Sequence, residues 1–155
     1  GSVQGVDSDF DALAFEPHYD VITSPEQVQV YEAIMGNSND EVTYTLLRGA
    51  VYLKDNRLLP NGFNKTTAPA DVAVAGIAYN DNNFIGGSDQ ISYRINGLAN
   101  GNYTVKTELV YQTIAYGFVR DLFDDNSAEV NDFKKMYQES TSKTSVLTAL
   151  EFAVQ

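Results

Sequence analysis

Apolar residues that return at every second position, in runs cut apart by turn chemistry, constrain this chain more than anything else in it. Val146, Leu150, Phe152 and Val154 alternate along one such run, and Tyr103, Val105, Leu109 and Tyr111 along another. Ile91, Tyr93 and Ile95 alternate within Gln90–Ile95, and Val28, Val30 and Ile34 within Gln27–Met35. Successive side chains of a strand point to opposite faces, so this period marks half-buried strands. Val72–Tyr79 reads as a short buried strand. Clusters of Gly, Pro, Asn, Asp and Ser separate the runs, at Ser24–Glu26, Asn37–Asp40, Asn64–Pro69, Asn80–Asp89 and Asn96–Asn102. The last of these, with two glycines, reads as the hairpin loop joining Gln90–Ile95 to Tyr103–Tyr111. The expected class is mainly β, an antiparallel β-sandwich of immunoglobulin-like or jelly-roll-like form.

Two stretches depart from plain alternation. Val42–Leu53 reads as one strand whose phase slips at Leu46/Leu47 beside Gly49, the mark of a bulge or a bend between sheets. It stops at a charged turn, Lys54-Asp55-Asn56-Arg57, before Leu58-Leu59 and Pro60-Asn61-Gly62. Later, Ile114, Phe118, Val119 and Leu122 suit a short helix. Val130, Phe133, Met136 and Tyr137 form a helical stripe, with Asn126 and Glu129 as a capping box at its start. The carboxylates Asp124-Asp125 sit where they complement a helix dipole. A short helical insert is therefore expected before the last strand.

With 155 residues, 43% of them hydrophobic, the chain can bury a real core. Gly1-Ser2 reads as a tag remnant and residues 1–14 as that remnant plus linker, leaving residues 15–155 as one domain. No run approaches the ~18 apolar residues of a membrane span, so membrane insertion is not expected. The net charge of −11 opposes nucleic acid and anionic membrane surfaces, which reward clustered positive charge. With no cysteine there is no thiolate metal site, thiol nucleophile or covalent haem attachment.

Candidate chemistry is sparse. Asp81, Asn83 and Asp89 put hard oxygen donors on a glycine-containing loop, which suits calcium, though the spacing is not that of an EF-hand. The same residue types populate loops because they tolerate turn geometry. Lys54, Asp55 and Arg57 suit a carboxylate or sugar ligand, or equally a turn closed by its own ion pairs. Tyr93 belongs to a tyrosine set that would stack on sugar rings if exposed and fill the core if not. His18, the one histidine, reads as a packing or hydrogen-bonding residue, with axial ligation to a haem held by a neighbouring domain as the alternative. No nucleophile–base pair or phosphate loop is visible, so an enzyme is not expected.

Four phrases in order carry a resemblance: PHYDVITSPEQVQVYEAIM (Pro17–Met35), LLRGAVYLKDNRLLPNGFNK (Leu46–Lys65), DNNFIGGSDQISYRI (Asp81–Ile95) and LVYQTIAYGFVRDL (Leu109–Leu122). Together they resemble the C-terminal cysteine-free domain of large exported multihaem c-type cytochromes of bacteria, related to cytochrome c554. The resemblance implies a periplasmic or extracellular protein in which electron transport belongs to a haem-bearing part. This chain would then be a non-catalytic accessory or docking module, with no haem of its own and with that haem-bearing domain, or another exported redox protein, as partner. The alternative is a carbohydrate-binding module, calcium-assisted, with a glycan as partner.

Overall fold

The computed structural model describes residues Leu13–Val154, which divide into two compact units, one ending at Ile95 and the other beginning at Asn96. Residues 1–12, most of the stretch read as tag remnant plus linker, lie outside the described residues. Strand exceeds helix, as the alternation leads one to expect. The sheets are small: the described residues form three two-stranded sheets, and none closes.

In the first unit, β2 (Ala33–Gly36) pairs antiparallel with β3 (Val51–Asp55), and β1 (Val21–Ile22) pairs parallel with β4 (Ser92–Tyr93). The strand expected over Gln27–Met35 is thus confined to its last residues. Upstream, Val30 C=O and Glu32 N–H are satisfied by side chains of Lys54 and Asn56, and only Glu32 C=O continues the ladder, accepting from Asn56 N–H. The strand expected over Val42–Leu53 is likewise interrupted. Val42 bridges Gly36, a 3-10 turn follows at Leu46–Arg48, and Ala50 N–H then donates to Gly36 from the β3 side. The phase slip marks that turn, which carries the chain from one edge of β2 to the other.

Val72–Tyr79 is not a strand. It makes one bridge, Asp55 with Ala75, and then a 3-10 turn, Ile77–Tyr79. This bend buries Val74 and Ala78 against Phe84, with Tyr31, Leu59 and Phe63 packed around them. Gly76 makes it possible: its φ is +77°, and a Cβ there would lie 3.0 Å from the Leu53 carbonyl oxygen. Gly86 is tighter still, since a Cβ would meet the backbone oxygen of Phe63 at 2.5 Å.

In the second unit, β5 (Tyr103–Gln112) pairs along its whole length with β6 (Thr144–Val154), antiparallel. The hairpin expected between Gln90–Ile95 and Tyr103–Tyr111 does not form. Ser92 and Arg94 N–H groups donate to Asp20 and Ile22 instead, and β5 takes the strand that matches its length. Between them come α1 (Tyr116–Leu122) and α2 (Ala128–Glu139). The cap of α2 is Ser127, whose hydroxyl accepts from Val130 N–H, one residue beyond the expected Asn126. Phe123, Phe133 and Tyr137 stack on one another, with Val119 and Val130 buried.

Candidate functional site: a buried polar network around His18 and Asn56

The interior of the first unit is unusually polar. Glu16, His18, Lys54, Asp55 and Asn56 are all buried, and Asn56 is 0% exposed. A buried polar group costs free energy unless it is paired, so its partners define the site.

Asn56 is the hinge of the network. It follows β3, where its N–H donates to the Glu32 carbonyl at 3.1 Å in continuation of the β2–β3 ladder. Its side-chain Oδ1 then accepts from Glu32 N–H at 2.9 Å, standing in for a backbone carbonyl. Its Nδ2 donates to Val30 C=O at 2.9 Å and to His18 Nδ1 at 3.1 Å. Because Oδ1 faces an N–H, the amide can point only one way. Gln29 is locked likewise: its Oε1 accepts from Tyr19 N–H at 2.8 Å, so its Nε2 is the group that donates to His18 Nδ1, also at 2.8 Å.

Two donors therefore aim at Nδ1, which must carry a lone pair. The proton sits on Nε2 and is donated to Asp81 Oδ2 at 3.0 Å. The ring packs against Phe84, 5.0 Å between centroids, and Lys65 Nζ lies over the same phenyl ring while donating to the carbonyls of Ala78 and Asp81. Burial alone would raise the Asp81 carboxyl, but hydrogen bonds from Asn83 N–H, His18 and Phe84 N–H outweigh it and hold the pKa below its ordinary value.

Lys54 is the second centre, with Nζ 2.7 Å from Glu16 C=O, 2.9 Å from Val30 C=O and 3.0 Å from Glu32 Oε1. Burial pushes its pKa down, and Glu32 pulls it back up. Three acceptors around one nitrogen match the three N–H bonds of the charged form. Asp55 beside it points away and grips Arg57 through both oxygens, at 2.9 and 2.6 Å. The binding candidates Lys54, Asp55 and Arg57 thus lie at the end of a strand rather than in an exposed charged turn, and only Arg57 keeps an exposed side chain, beside a hollow of about 330 Å³ walled by Leu58, Pro60, Phe63 and Val72. Tyr93 lies apart from them on β4, 60% exposed.

The loop candidates Asp81, Asn83 and Asp89 do come together, and His18, Asp81 and Asp89 each offer an atom within 4.8 Å of the others. Their oxygens are already engaged. Asp81 accepts from Asn83 N–H and His18, Asn83 Oδ1 from Gln90 N–H, and Asp89 from Gln90 N–H and the Tyr31 hydroxyl at 2.6 Å. The Tyr31 pKa is raised by burial and by Asp89. His18 is poorly set for a metal or a haem iron at Nε2, because that nitrogen carries the proton while Nδ1 faces two N–H groups. Beside the His18–Asp81 pair, Asp20, Ile77, Asn80 and Asn82 line an open depression of about 480 Å³.

Sequence reasoning missed Gln29, Asn56, Tyr31 and Glu32 as parts of this assembly. Asn56 sat in a run that reads as a solvated turn, and nothing local tells a buried amide from an exposed one. No protein-family model matches this chain, and neither the curated proteins nor the solved structures contain a match to it.

Proposed function

We propose that this chain is a non-catalytic accessory module of an exported bacterial multihaem cytochrome-like protein, docking to or orienting the electron-carrying part. One observation carries the reading furthest. Three of the four phrases that bear the resemblance meet in the same network: His18 and Gln29 from the first, Lys54 and Asn56 from the second, Asp81, Phe84 and Asp89 from the third. Residues that hold one another in place account for a shared string of phrases as a shared core, with no reacting group needed. The antiparallel sandwich expected of such a module belongs to the same reading, the open edges of its small sheets being where further strands would add. Exposed apolar side chains such as Leu46 and Leu47, 80% and 99% exposed on their 3-10 turn, give the module a surface to dock with.

The test is made on the natural full-length protein. A Soret band with the mass of several covalent haems, and loss of assembly or surface retention with an unchanged haem spectrum when this module is deleted, is the expected result. A colourless parent overturns the proposal. A second reading, a glycan-binding module, rests on the depression beside Asp20, Asn80 and Asn82, where amide and carboxylate groups adjoin the exposed Ile77. Retardation of the chain in glycan affinity gels, abolished by Asn80→Ala with Asn82→Ala, would favour it.

A further inference from the structure

Arg57 spends only half of its guanidinium on Asp55. That buried carboxylate takes the Nε and Nη2 N–H groups at 2.9 and 2.6 Å, the side-on edge of the fork. The N–H groups of Nη1 and the second of Nη2 have no acceptor among the described residues. They form the end-on edge, which matches a second carboxylate, and the Asp55 contact holds that edge in one orientation. The hollow of about 330 Å³ that Arg57 borders is otherwise apolar, enclosed by Leu58, Leu59, Pro60, Phe63, Val72 and Val74. Its floor belongs to the core, since Val74 is buried and Leu59 and Phe63 pack against the same cluster. Its walls stand without a ligand. Phe63 N–H donates to Pro60 C=O and Gly87 N–H to Leu59 C=O on one side, and Val72 N–H to Pro69 C=O on the other. All the lining residues fall between Asp55 and Val74, so the first unit builds the hollow by itself.

We infer that this is a binding site for a small carboxylic acid with an apolar tail, its carboxylate on the end-on edge of Arg57 and its tail against Phe63 and Val74. The volume, about 330 Å³, lies at the low end of the ~300–1,000 Å³ of ligand pockets and suits a small molecule. The strand edge beside the hollow favours a free acid over a peptide. Asp55 N–H and C=O are both bonded to Ala75, so an added strand finds no partner there. Charge and tail are both needed. Asp55 already neutralises the guanidinium and the chain carries −11, so an anion without a tail gains little. A tail without a carboxylate leaves the end-on N–H groups facing an apolar neighbour. This inference does not depend on the haem-protein reading.

Proton–nitrogen NMR spectra of the whole chain, titrated with 3-phenylpropanoate, test it, with acetate and 3-phenylpropanol supplying the charge and the tail separately. The expected result is saturating shifts confined to Asp55–Phe63 and Val72–Val74. The Kd should be roughly 1–10 mM, what about eleven non-hydrogen atoms supply at ordinary efficiency. Acetate and the alcohol should each bind at least about tenfold more weakly, and Arg57→Lys, which keeps the charge but loses the fork, should weaken the acid about as much. Leu58→Glu puts a carboxylate at the wall of the hollow and should abolish binding, whereas Leu47→Glu, outside the hollow, should bind as wild type. Both leucines are exposed, so neither variant disturbs the core. Shifts that do not saturate by about 30 mM overturn the inference, as does an alcohol that equals the acid or binding that survives Leu58→Glu. An apolar tripeptide with a free C-terminus that binds about tenfold tighter than the acid overturns the choice of a free acid.

Discussion

Replacing Asn56 by alanine is the sharpest perturbation the fold allows. The side chain is fully buried and makes three hydrogen bonds, to Glu32 N–H, Val30 C=O and His18 Nδ1. Their loss is unequal. Val30 C=O keeps Lys54 and His18 Nδ1 keeps Gln29, so only Glu32 N–H is orphaned. An orphaned buried donor costs about 1–3 kcal/mol, and each of the other two losses about 0.5–1.5 kcal/mol, for a total of about 2–6 kcal/mol centred near 4 kcal/mol. In a unit of this size the central value lowers the melting temperature by roughly 16–32 °C. Because the chain has two compact units, a single melting curve mixes them, and amide exchange at Glu32, Asp55 and Ala75 reports the first directly. Asn56→Asp keeps the shape but turns an oxygen toward two acceptors, and should be as costly as alanine at neutral pH. Asn64→Ala is the control, since Asn64 is exposed and its side chain accepts from the neighbouring Thr66 N–H and hydroxyl, both in the same loop. If Asn56→Ala stays within about 1 kcal/mol of wild type, the network does not hold this unit together.

Nitrogen chemical shifts of His18 should show the proton on Nε2 at neutral pH; a proton on Nδ1 would contradict the two donors aimed there. Asp81 has a folded pKa below its unfolded value of 3.8, so its contribution is complete above that value and is lost as pH falls through the folded one. Asp81→Asn should therefore destabilise at pH 7 and much less near pH 2, and an equal loss at both would refute the assignment. Gly86→Ala forces a methyl into the Phe63 backbone and should cost more than about 2 kcal/mol in urea melts, whereas Gly62→Ala, with open space around it, costs only the ~1 kcal/mol of its left-handed φ. The Tyr137 hydroxyl is buried and has no hydrogen-bond partner among the described residues, so Tyr137→Phe should raise the stability of the helical region by up to about 1 kcal/mol, and a loss of that size would show a missed bond. Millimolar calcium should leave thermal melting unchanged, given the engaged oxygens of Asp81, Asn83 and Asp89; a rise reversed by chelator would place the ion there.

By itself the sequence determined what depends on neighbours along the chain. The alternation along Tyr103–Tyr111 and Val146–Val154 marks β5 and β6, the stripe through Val130 and Phe133 marks α2, and the Asn80–Asp89 loop is where its composition puts it. Period and turn chemistry are local properties, so they survive reading one residue after another. Which strand pairs with which is not local, and β5 chose β6 over the nearer Gln90–Ile95 because length and register match across some forty residues. Burial is not local either. Lys54-Asp55-Asn56 has the letters of a solvated turn, and Val72–Tyr79 those of a buried strand, yet the first is interior and the second bends. A polar group can be buried only when partners from elsewhere arrive with matching geometry, and it is the tertiary fold, bringing Gln29, Glu32 and Asp81 to His18, Lys54 and Asn56, that supplies them.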